Sequence, residues 1–104
     1  MTKFIEVITT FDNIEEAHKM SQMILEKKLG ACCSIGKVES IYRWKGNIEY
    51  TTEFQLTIKT AEDLYSKLER FILENHSYET PQIISSQILD GSKDYLDWLR
   101  EGTK

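Results

Sequence analysis

The longest strict alternation in the chain runs from Ile48 to Lys59. Ile48, Tyr50, Thr52, Phe54, Leu56 and Ile58 fall on one side, and Glu49, Thr51, Glu53, Gln55, Thr57 and Lys59 on the other. Period two is the mark of a strand that turns one face to a core. Strands usually run about five or six residues, whereas this one would reach roughly 40 Å at about 3.3 Å per residue. The turn Lys45-Gly46-Asn47 precedes it, and Ala31 to Trp44 supplies Ile35, Val38, Ile41, Tyr42 and Trp44 as apolar points. The two segments therefore read as a hairpin. Gly36 predicts a bulge or bend in the first arm. A small domain cannot cover so long a ribbon, and Tyr42, Trp44 and Tyr50 would lie bare on it. The pattern predicts that the overhang packs on another subunit.

The flanking segments complete the order. Lys3 to Thr9 reads as a short buried strand. Asp12 is placed as an N-cap with Glu15 three residues on, a capping-box spacing. Ala17, Met20, Ile24 and Leu25 then recur at helical spacing, Lys27-Lys28 suit the C-terminal dipole, and Gly30 is a stop. Thr60 is expected to cap a second helix with Leu64, Leu68, Phe71 and Ile72 on its buried stripe. Gln82 to Leu89 is the last strand, and Asp90-Gly91 turns into a short helix from Ser92 bearing Tyr95, Leu96, Trp98 and Leu99. The order is βαββαβ plus a C-terminal helix. Right-handed crossovers then favour an α+β, ferredoxin-like fold: an antiparallel four-stranded sheet with both main helices on one face. The other face stays open, which again points to oligomerisation.

Length and charge narrow the function. The 104 residues hold one domain, 1–104. A formal net charge of -4 argues against nucleic acid, although some RNA-binding domains share this topology. No apolar run approaches the roughly 20 residues of a membrane span, so no membrane insertion is expected. Cys32 and Cys33 are neighbours in sequence, poorly placed to bridge each other. A reducing, cytoplasmic setting fits them, and a removed targeting segment is compatible with it.

His76-Ser77-Tyr78-Glu79-Thr80-Pro81 gathers an imidazole, a phenol and a carboxylate beside the chain's single proline. Such a stretch between a helix and a strand is either a rigid connector or the edge of a binding site. His76 suits a helix C-terminus as a cation or donor. Tyr78 and Glu79 are expected to hydrogen-bond across a subunit boundary and fix the connector before Pro81. His18 reads as solvated, Met20 and Met23 as helix or core filler, and Trp44 and Trp98 as packing anchors. Acylphosphatase shares the topology but needs a glycine-rich anion loop with an arginine after the first strand. Thr9-Thr10-Phe11-Asp12-Asn13 has neither. A Cys32–His76 nucleophile pair would lack an orienting third group, so no enzyme is expected.

Five segments in register resemble the CutA family of divalent-cation tolerance proteins. These are Leu29-Gly30-Ala31-Cys32-Cys33-Ser34-Ile35, Ser40-Ile41-Tyr42-Arg43-Trp44-Lys45-Gly46-Asn47-Ile48, Ile58-Lys59-Thr60, His76-Ser77-Tyr78-Glu79-Thr80-Pro81-Gln82-Ile83 and Tyr95-Leu96-Asp97-Trp98-Leu99. The resemblance implies a tight homotrimer built like the PII signalling proteins. It places subunit-boundary or structural roles on Tyr42, Trp44, Tyr50, Tyr78, Glu79, Pro81 and Trp98. It also implies that copper or another divalent cation could bind through Cys32 and His76, with no resident cofactor required. Thiolate and imidazole suit such ions, while the plainer reading of Cys32 is a small buried hydrophobe at a strand start. Cys33, on the opposite strand face, reads as incidental. Animal members linked with acetylcholinesterase anchoring suggest the alternative of an interaction trimer. Two departures stand out: Gly36-Lys37-Val38 lacks the family's Pro-Gly, and Ser77 replaces its usual proline.

Overall fold

A computed structural model describes residues 2–104. Its elements are β1 (Phe4–Phe11), α1 (Ile14–Glu26), β2 (Cys32–Trp44), β3 (Asn47–Ala61), α2 (Tyr65–Asn75), β4 (Ile84–Ile88) and α3 (Lys93–Gly102). The strands form one sheet in the order β2-β3-β1-β4, antiparallel throughout. This is the expected ferredoxin-like arrangement.

Alternation decides what each face carries. Ile5, Val7 and Phe11 of β1 and Leu56 and Ile58 of β3 point to one side. There they pack on Ala17, Met20 and Ile24 of α1 and on Leu68 and Ile72 of α2. Each such aliphatic side chain stabilises the fold by about 1.5–3 kcal/mol when fully buried. The core therefore draws on the second half of β3 alone. Its last pair with β1 is Phe54 with Phe11, so residues 47–53 bond only to β2. That overhang spans roughly 23 Å at about 3.3 Å per residue. The chain measures 45 Å along its long axis. Its radius of gyration is 14.3 Å, against about 13 Å for a compact domain of this length.

Both faces of the overhang are open. Ile41, Ile48 and Tyr50 continue the helix-side face beyond the helices and are 63%, 58% and 75% exposed. Tyr42 and Trp44 lie on the opposite face and are exposed as well, though less so. The turn at the tip has Lys45 at φ 49° and Gly46 at φ 84°. Two successive positive φ values make the type I′ geometry that matches strand twist.

Several local expectations are corrected. Gly36 pairs regularly with Gln55 and makes no bulge. The cap of α1 is Asn13, whose side-chain oxygen accepts from the Glu16 amide at 2.8 Å, not Asp12. Thr60 caps no helix. It stays in β3, fully buried, and its hydroxyl donates to the Leu29 carbonyl at 2.8 Å. A 3-10 turn, Glu62–Leu64, then leads into α2. The last strand is shorter than Gln82 to Leu89. The second sheet face is not wholly bare, because α3 lies over one end of it, with Leu99 buried and Arg100 5.8 Å from the Phe4 ring centroid. Trp98 is half-exposed in the single chain and stacks on Tyr95 at 5.7 Å.

Cys33 turns to the helix side and its thiol lies 4.0 Å from the Ser21 carbonyl. Burial pushes that thiol up to about 11. A proton held more tightly folded than unfolded favours folding below the ordinary thiol range. That contribution is lost as pH rises from about 9 towards 11. Urea midpoints of the wild type should fall across that window, and those of Cys33→Ala should fall less; equal slopes would refute the assignment.

Candidate functional site

The connector after α2 is held by its own side chains. His76 stacks on Phe11 with ring centroids 4.4 Å apart and planes 7° from parallel. Its Nδ1 accepts the Tyr78 amide at 3.0 Å, which puts the ring proton on Nε2, 2.8 Å from the Thr10 carbonyl. Both ring nitrogens are thus engaged. Capping of the α2 carbonyls falls to Asn75, whose side chain donates to Phe71 at 2.8 Å. Ser77 is fixed to α1: its amide and hydroxyl donate to the two carboxylate oxygens of Glu16 at 3.0 and 2.8 Å. A proline at this position has no N–H to offer. The departure from the usual proline therefore gives this chain a tether of its own.

The Tyr78 hydroxyl donates to Glu53 Oε2 at 2.7 Å within the same chain, where a bond across a subunit boundary was expected. Burial raises the phenol above its ordinary range, and the Glu53 carboxylate raises it further. Glu79 is exposed and Pro81 is half-buried. Between this connector and the hairpin lies a cleft of about 650 Å³, walled by Tyr42, Trp44 and Tyr78 and carrying Asp12, Glu53 and Glu79. Glu53 is 8% exposed. The alternation had assigned it to an open polar face. The connector, folded back from 25 positions away, reaches it through the Tyr78 hydroxyl.

Cys32 is elsewhere. It opens β2 opposite Lys59, which in turn pairs with Glu6 of β1. His76 is bonded at Thr10, four positions further along β1. Four residues at about 3.3 Å each, and two strand spacings of about 4.8 Å, separate the two by on the order of 15 Å. The pair does not fit a shared ion within one chain. Among the described residues no three His, Cys, Asp or Glu side chains converge as metal ligands. Both cysteines are free thiols.

The CutA1 divalent ion tolerance protein model matches residues 5–102. The chain belongs to the CutA1 family. A divalent-cation tolerance protein CutA of Archaeoglobus fulgidus is 38% identical over 101 residues, covering 97% of either chain. The CutA1 structure from Pyrococcus horikoshii superposes with a TM-score of 0.93 at 39% identity, over 96% of this chain and 98% of that one. A structure described as the periplasmic divalent cation tolerance protein CutA from A. fulgidus superposes at 0.92, with 36% identity and all of both chains covered. The CutA1 likeness therefore includes hairpin, connector and C-terminal helix alike. No helix among the described residues is long and apolar enough to cross a membrane.

Proposed function

We propose that the chain works in divalent-cation tolerance as a cytoplasmic, non-catalytic homotrimer, a binding or signalling module built like PII. The observation that carries this is the overhang, which leaves Ile41, Ile48 and Tyr50 bare on a ribbon with no third strand. Apolar surface of that kind on a stable protein marks an interface. A nucleophile and its base must lie within hydrogen-bond reach, and the separation of Cys32 from His76 favours binding over catalysis. Free thiols support a reducing compartment.

In this reading copper or another divalent cation is a weak ligand met by the Cys32 thiol without His76, whose nitrogens are occupied. Anaerobic titration with Zn(II), a redox-inert divalent ion that takes thiolate ligands, tests it. Cys32→Ser should weaken binding at least about tenfold, equivalent to about 1.4 kcal/mol, while His76→Ala should leave it nearly unchanged. Binding that disappears in His76→Ala and survives in Cys32→Ser would reverse the assignment.

A further inference from the structure

We infer that Asp90-Gly91, in the link between β4 and α3, is a self-modifying site that closes to a succinimide and reopens as an isoaspartyl bond. It is the one place in the sequence where an aspartate or asparagine precedes glycine. Both residues are exposed and lie outside the flanking elements, which end at Ile88 and begin at Lys93. The β1–β4 pairing stops at Ile88, so the ladder does not hold the Gly91 amide. That amide donates instead to Oδ1 of Asp90 at 2.9 Å. Its nitrogen thus rests against the carboxyl group of the preceding side chain, near the roughly 3–3.5 Å separation of a reactive contact. Glycine adds no Cβ to shield the nitrogen. Other candidates are committed elsewhere: Asn13 caps α1, and Asp97 holds Lys93 and Arg100.

Ring closure uses only these two residues. The Gly91 nitrogen bonds to Cγ of Asp90 and one carboxyl C–O bond breaks. The amide proton and the acid proton leave with that oxygen as water. Water then adds to the main-chain carbonyl carbon of Asp90 and breaks its bond to nitrogen. The chain now runs through Cγ and is one carbon longer, and the former main-chain carbonyl is a carboxylate. Nothing is oxidised or reduced, and neither a metal nor a second chain takes part. The added carbon falls two residues before Ser92, the N-cap of α3. The new carboxylate is a substrate for isoaspartyl carboxyl methylation: an O–CH3 bond forms as the S–CH3 bond of a sulfonium donor breaks.

Ageing the full-length protein in warm, mildly acidic buffer for several weeks tests the site. After digestion, mass spectrometry should find part of the peptide holding Asp90 lighter by one water. An isoaspartyl methyltransferase with labelled methyl donor should label that peptide above every other. Asp90→Glu, whose ring would need six members, should lose both signals. Gly91→Ala should slow labelling at least about fivefold, about 1 kcal/mol in the barrier. A Cβ at Gly91 would stand 3.1 Å from Leu96. If that variant does not fold, Asp90→Glu, altered only at an exposed side chain, carries the test. Absence of label on the Asp90 peptide, equal label on other peptides, or undiminished label in Asp90→Glu would overturn the inference.

Discussion

Replacing Ile48 and Tyr50 together by aspartate is expected to lower the mass in solution from three chains to one while leaving each chain folded. Both side chains lie on the overhang, 58% and 75% exposed, beyond the last pair between β1 and β3. In the single chain they touch no core, so a charge there meets water and costs little. In an assembly the same positions are covered, and an unpaired carboxylate removed from water costs several kcal/mol. Two substitutions in each of three chains exceed what an interface of ordinary strength supplies. Light scattering reads the mass, and far-ultraviolet circular dichroism confirms that the strands persist. An unchanged mass would show that the overhang does not join subunits.

The second large effect is expected from His76→Ala in metal-free protein. The change removes a ring stacked on Phe11 and leaves the Thr10 carbonyl and the Tyr78 amide without partners. An orphaned, partly buried polar group costs about 1–3 kcal/mol, so a loss of roughly 2–4 kcal/mol in stability follows once the ring contact is included. Equilibrium unfolding in urea at fixed chain concentration measures it. A histidine kept for metal alone would show no such loss without the ion. Stability equal to wild type would therefore return His76 to the role of a free ligand.

The βαββαβ order, the faces of β3 and the excess length of the hairpin were legible in the sequence because period two and period 3.6 are local signals. What failed was local competition. Asp12 and Asn13 are both good caps, and only the backbone geometry selects the second. Thr60 followed by Ala-Glu-Asp looks like a helix start. The strand nevertheless runs through it, because the Leu29 carbonyl takes its hydroxyl from 31 positions away. A glycine in a strand suggests a bulge, yet Gly36 stays in register where the ladder on both sides holds it. The connector shows the same limit at the site. Its residue types were plain, but their partners were not: Thr10 is 66 positions from His76, Glu16 is 61 from Ser77, and Glu53 is 25 from Tyr78. The Tyr78–Glu53 bond and the cleft beside it arise from those long-range contacts. No spacing in the sequence announces them.

The proposed function rests on the bare hairpin acting as a subunit interface. Light scattering of the unmodified protein after size exclusion, at micromolar chain concentration, tests it without any substitution. A trimer joined by its hairpins runs as a single species of about 37 kDa, three times the 12.2 kDa chain. A species of one chain mass at every concentration would contradict it.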